Sequence, residues 1–327
     1  MGLRTLGASL RRAFWPAVSF VALAGLTACA VAPRLEDLSL ASLADRPQLE
    51  LTQTPFYPQE LHQCGPAALA TVLGASGQTV TPETLADEVY IPGRNGSLQV
   101  ELLAAARRHQ RVAVQLAPKL DAVLAPLLEQ RPVLLLQNLG FARAPRWHYA
   151  VLVGWDAPAN ELILRSGGNR RERLSLTRFV QTWDLGGRWA VVMADPRQPP
   201  PQSVTARDWI AAIAPLESQR QPDLARTAYE AATQRWPSET LAWQALANAR
   251  YALGDLPGAE SALQAAVDIT PDAAALNNLA QVRIERGCAV AALQALQLIA
   301  PIPPALASTI ADTRRAAEAM PADAGCH

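Results

Sequence analysis

Three residue pairs recur at one spacing in the last third of the chain: Trp209 with Trp243, Ala225 with Ala259, and Pro237 with Pro271, each 34 residues apart. A fixed period of this length marks one small structural unit copied along the chain, and such a unit cannot bury its apolar face alone. The copies must stack, so the region is constrained to a row of paired helices sharing a continuous core. Its alanine-rich composition, without strand-type alternation, agrees with that. Leu276, Leu279, Gly287, Ala292 and Pro304 continue the pattern with a period one residue shorter, giving about the three copies a stacked core needs.

The stretch Gln198-Pro199-Pro200-Pro201-Gln202-Ser203 precedes these repeats. Three prolines can neither donate to a sheet ladder nor continue a helix, so an extended spacer and a domain boundary are expected there. Before it, from 55 to 195, helical and strand periods mix. Helices are predicted at 64–74, 82–90 and 98–109. Apolar strand-type runs follow at 112–116 and 133–137, then an antiparallel set at 149–155, 161–165, 173–176 and 188–193. Asp156 to Asn160 and Ser166 to Asn169 read as turns. Helices first and hairpins later indicate an α+β domain.

At the other end, Arg4, Arg11 and Arg12 precede an uncharged segment from 14 to 26, followed by Leu26-Thr27-Ala28-Cys29. The apolar stretch is short for a bilayer of roughly 30 Å, and small residues close it, as in a secretory signal. The roughly 300 residues beyond it suit two cores better than one. The chain carries 29 basic and 29 acidic residues, with no run of like charge, so no nucleic-acid partner is expected. Export implies an oxidising setting, in which Cys288 and Cys326 form a possible disulfide.

The remaining cysteine, Cys64, opens an apolar helix in Gln59-Glu60-Leu61-His62-Gln63-Cys64-Gly65-Pro66-Ala67-Ala68-Leu69. Uncommitted N–H groups and the positive end of the helix dipole favour a thiolate there. A nucleophilic cysteine also needs a base. Of the four histidines, His327 ends the chain, His109 closes an Arg-rich helix and is expected to be solvated, and His62 lies too close in sequence to face the sulfur. His148 remains, at the start of the apolar strand in Trp147-His148-Tyr149-Ala150-Val151-Leu152-Val153-Gly154-Trp155-Asp156. The histidines and cysteines show no metal-ligand spacing, and neither metal nor cofactor is expected.

Several resemblances follow from these residues. Leu26 to Cys29 resembles the lipobox of bacterial lipoproteins. That resemblance implies lipidation at Cys29 and, because Ala30 is not aspartate, the periplasmic face of the outer membrane. Trp243, Leu246, Tyr251, Gly254, Ala259 and Pro271 resemble the tetratricopeptide repeat. A cysteine at a helix start followed by a histidine at a strand start resembles the papain-like cysteine peptidases. Within these, Gln-Cys-Gly-Pro-Ala-Ala-Leu and the later His-Tyr-Ala-Val-Leu-Val-Gly-Trp-Asp resemble the bacteriocin-processing, double-glycine-type family. The resemblance implies Cys64 as nucleophile, His148 as base, and Gln59 as an oxyanion donor beside the cysteine's own N–H. It also places Ser166 where the family carries the acid that orients the histidine. Gln59 stands five residues before Cys64, where six is usual, and Gln63 is adjacent. Asp156, earlier in the hairpin, reads as a turn former.

The chain is thus expected to be an α+β papain-like cysteine peptidase domain followed by an all-α tetratricopeptide-repeat solenoid. Its divisions are a signal peptide at 1–28, a linker at 29–50, the peptidase domain at 51–197, a Pro-rich linker at 198–205, the repeats at 206–304 and a C-terminal helix and tail at 305–327. The expected partners are a peptide or protein substrate, a protein on the repeats, and a membrane through the lipid anchor. The alternatives from other classes are a non-catalytic envelope scaffold with a degenerate peptidase domain, and a Cys-His amidase or acyltransferase.

Overall fold

The computed structural model describes residues 33–35, 38, 45–58, 63–218, 221–321 and 326. Cys29, Gln59, His62 and His327 lie outside these residues, as does the secretory segment. Within Pro33–His327, which forms one compact unit, the first half is built on an antiparallel sheet. The strands are β1 (Gln48–Glu50), β2 (Val112–Gln115), β3 (Val133–Asn138), β4 (Trp147–Asp156), β5 (Glu161–Ser166), β6 (Asn169–Ser175) and β7 (Ala190–Ala194). They lie in the order β2-β7-β3-β4-β5-β6, with β1 on the distal half of β4. Gly154 is required where β1 crosses, because a Cβ there would collide with the carbonyl oxygen of Leu49.

The helices of this half are α1 (Cys64–Ala75), α2 (Pro82–Val89), α3 (Gln99–Arg108), α4 (Leu120–Leu128) and α5 (Leu176–Leu185). Successive strand residues point to opposite faces. Gln137 of β3 donates to Thr182 of α5, whereas Tyr149, whose β4 neighbour His148 pairs with Gln137, reaches Ser97 in the loop before α3. The sheet is therefore covered on both sides, and Val133 to Leu136 can be a continuous apolar run because neither face meets water.

The second half is helical: α6 (Ala206–Ile213), α7 (Pro215–Ser218), α8 (Pro222–Arg235), α9 (Thr240–Ala252), α10 (Leu256–Ile269), α11 (Ala273–Glu285), α12 (Ala289–Gln297) and α13 (Ala307–Glu318). Consecutive long helices pack as antiparallel neighbours, and the small residues at their contacts, among them Ala225, Ala228, Ala259 and Ala292, are fully buried. Cys288, at the N-cap of α12, is disulfide-bonded to Cys326.

The two halves do not form separate cores. Buried apolar side chains run as one cluster from the sheet into the repeats, and α6 is the join, packing on β2 on one side and on α8 and α9 on the other. Trp209 of α6 is fully buried, and its Nε1 donates to the Ala228 carbonyl at 3.1 Å. The proline segment is laid down on the sheet domain instead of standing free as a spacer. Pro200 and Pro201 are buried, and the backbone N–H groups of Gln202 and Ser203 donate to the Glu129 carboxylate at 2.8 Å each.

Candidate active site

Cys64 is the first residue of α1, half-buried and unpaired by disulfide. The first intrahelical bond runs from the Ala67 N–H to the Gln63 carbonyl at 3.2 Å, and Pro66 has no N–H. That leaves the N–H groups of Cys64 and Gly65 outside the helix ladder, the usual state of a helix start. Both turn toward the sulfur, and a third donor joins them from the sheet. Tyr149 lies beyond the last β4–β5 pair, Val151 with Arg165, and its backbone N–H points at the Cys64 sulfur. The cysteine is thus seated against the peptide that joins His148 to Tyr149.

Burial nevertheless pushes the Cys64 thiol up, against the pull of those three N–H groups. Burial thus opposes the thiolate that the helix start favours, because removing a charge from water outweighs the donors that stabilise it. A Cβ at Gly65 would lie 2.5 Å from Ser97 Oγ and 2.6 Å from Ser97 Cβ, so the small residue makes room for the loop before α3.

His148 is the second residue of β4, paired with Gln137 across β3. Its Nε2 and Ser166 Oγ are 2.9 Å apart. Burial pushes the imidazole down; Glu172 acts in the opposite direction, and Arg146 adds to the lowering. Burial thus disfavours the charged form of both groups. No hydrogen bond links the sulfur directly to the ring among the described residues.

Supporting residues that the sequence alone did not single out fix the approach to His148. Asn138, at the end of β3, accepts from the N–H groups of Gly140 and Arg146 with its Oδ1, each at 2.9 Å, and so shapes the hairpin that enters β4. Tyr149 donates from its hydroxyl to the Ser97 carbonyl at 3.2 Å, tying the strand to the loop beside Gly65. The sequence sign for Asn138 is a polar residue after an apolar run, two residues before a glycine. The other candidates lie elsewhere. Asp156 accepts from the Ala159 N–H at 3.3 Å and from Arg173 at 2.7 Å, as a turn former would. His109 is not simply solvated, for its Nε2 lies 2.9 Å from Glu88.

An antiparallel sheet flanked by a helix that opens on a cysteine, with a histidine at the start of a central strand, is the architecture of a papain-like peptidase domain. Residues 51–190 match the Peptidase_C39 like family, and residues 216–274 and 245–307 match the tetratricopeptide repeat. Among solved structures, the chain is similar to a C39-like peptidase from Bacillus anthracis (18% identity, 45% of this chain and 97% of that one, TM-score 0.37). It is also similar to a double glycine motif protease from an AMS/PCAT transporter in complex with its leader peptide (19%, 43% and 91%, TM-score 0.34). A third similar structure is the peptidase domain of Streptococcus ComA, a bi-functional ABC transporter (20%, 43% and 98%, TM-score 0.34). No curated protein matches the chain.

Proposed function

We propose that the protein is an exported, lipid-anchored cysteine peptidase that hydrolyses peptide bonds through Cys64 and His148, with the repeats holding a protein partner or substrate. The observation that carries this reading is the seating of the Cys64 sulfur on the Tyr149 N–H, one residue from a histidine whose Nε2 is held by Ser166. With Nε2 donating to Ser166, Nδ1 is the nitrogen that accepts a proton. Because burial disfavours the charged form of both groups, the thiol loses its proton to Nδ1 as the sulfur attacks the peptide carbonyl carbon. The C–N bond then breaks, the imidazolium gives that proton to the leaving amine, and a thioester remains. Water, deprotonated by the same nitrogen, attacks the thioester; the acid leaves and the thiol is restored. The Cys64 N–H is one oxyanion donor, and Gln59 is assigned as the other on family likeness.

The shifts give this mechanism a sign. A base must be unprotonated, and the His148 pKa is lowered, so kcat/KM rises as pH climbs through a value below the ordinary imidazole value of about 6.5. Alkylation of the resting thiol by iodoacetamide follows the raised Cys64 instead, with a midpoint above the ordinary thiol value of about 8.5. An alkylation midpoint below pH 7 would show a thiolate–imidazolium pair at rest and overturn the neutral assignment.

Anchoring rests on Leu26 to Cys29. Cys29→Ser is expected to abolish incorporation of labelled fatty acid and to release the protein from the outer-membrane fraction; unchanged labelling excludes the anchor. Ser166 favours a second reading, a scaffold that has lost its chemistry. Retention of a repeat-bound partner by a wild-type chain that cleaves no peptide would select it.

A further inference from the structure

The position that should hold an acid against His148 holds Ser166, which offers a hydrogen bond and no charge. An imidazolium forms during each acyl transfer, and a neutral partner stabilises it less than a carboxylate does. The sheet supplies a charge from another strand. Leu152 pairs with Leu164, and Leu164 pairs with Glu172, so these three share one face of the sheet. His148 precedes Leu152 by four residues with no register shift between them, and Ser166 follows Leu164 by two, which puts both on that face. Glu172 therefore stands on the His148 side of the sheet, on the edge strand β6.

Its neighbours on β6 are engaged elsewhere. Arg171 pairs with Glu50 at 2.6 Å, and Arg173 pairs with Asp156 at 2.7 Å and Glu161 at 2.5 Å, on the opposite face. Glu172, half-buried, has no ion pair among the described residues. A register shift in the β5–β6 pairing between Leu164 and Ser166 lies beside it, the kind of irregularity that re-aims a side chain.

We infer that Glu172 is a positioning residue for the proposed hydrolysis, supplying through space the negative charge that Ser166 lacks and so sustaining the His148 imidazolium. The inference rests on the peptidase reading. The groups disposed toward His148 are its cross-strand partner Gln137 of β3, Arg146 at the entry to β4, Ser166 of β5 and Glu172 of β6, while Cys64 of α1 sits at the Tyr149 peptide. Of these, Glu172 is the one anion and Arg146 the one cation. The electrostatics agree, since Glu172 raises the proton affinity of His148 while Arg146 lowers it.

The test is an NMR pH titration of the His148 ring in the full chain, which needs no turnover and therefore succeeds or fails independently of whether any peptide is cleaved. Glu172→Gln is expected to lower the His148 midpoint by roughly half a unit at low salt, and Glu172→Lys by more, because a half-buried charge is only partly screened. Glu172→Asp should keep the midpoint near the parent value, and Ser166→Asp added to Glu172→Gln should restore or exceed it. The acid limb of kcat/KM should move with the ring, with KM unchanged. A His148 midpoint that stays put in both Glu172→Gln and Glu172→Lys overturns the assignment.

Discussion

Cys64→Ala is expected to leave a folded chain that cleaves peptide at least about 10⁴-fold more slowly in kcat/KM, because removing the nucleophile leaves only binding and the oxyanion donors. The variant deletes one sulfur from a half-buried position, so its stability should change little and loss of activity can be attributed to chemistry. The donor arrangement sharpens this expectation. The Tyr149 and Gly65 N–H groups that now face sulfur would face water or a substrate oxygen in the variant, so binding of a peptide should survive while turnover does not. Adducts of a thiol-directed peptide electrophile at residue 64 should vanish in Cys64→Ala and form far more slowly in His148→Ala. Peptide cleavage undiminished in Cys64→Ala would end the hydrolase reading, and the repeats would then be the working part of the molecule.

The second large effect lies at the join. Trp209→Ala is expected to cost roughly 3–5 kcal/mol, the range for emptying a fully buried aromatic site. It also strips the Ala228 carbonyl of the indole donor, an unpaired buried acceptor that adds to the loss. Since α6 touches both β2 and the repeat helices α8 and α9, the damage should separate their unfolding. In urea, near- and far-ultraviolet dichroism should coincide for the parent and split into two transitions for Trp209→Ala. Trp209→Phe, which keeps the ring and loses only the N–H, should fall between them. A single transition displaced by less than about 1 kcal/mol would show that α6 is not the element coupling the halves.

The parts of this fold legible in the sequence are those whose signal is local. The apolar runs of β3 and β4 and the helix opened by Cys64 stand within a few residues of their observed ends, because burial on both sheet faces writes itself directly into composition. The helix α4 escaped notice because Pro126 lies inside it and reads as a breaker, and β1 because three residues carry no period. The helix α5 was hidden by the strand just before it: Leu176 ends the polar–apolar alternation and also begins the spacing Leu176, Phe179, Trp183. Trp209, legible as a repeat marker, lies in a helix before the residues that match the repeat family, and its indole is spent on the join.

At the site, the helix start at Cys64 and the strand start at His148 were legible as local features, whereas Ser166 came only from the family resemblance; the structure sets its Oγ 2.9 Å from His148 Nε2. Their charge states were not legible, because burial is a property of everything packed around them; the thiol is raised where its helix position alone would lower it. Glu172 was out of reach for a related reason. Its relation to His148 exists only through two successive strand registers, and neither is encoded near residue 172.

The proline strap held by Glu129 and the shared core at α6 tie the sheet domain to the repeat array, so the two are expected to fold as one cooperative event. Any molecule that binds the native repeats then draws the whole chain away from its unfolded state by mass action, by about 2.7 kcal/mol at a hundredfold excess over its Kd. Occupancy at a distant surface would thereby set how long the fold around Cys64 and His148 persists, without any rearrangement of those two residues.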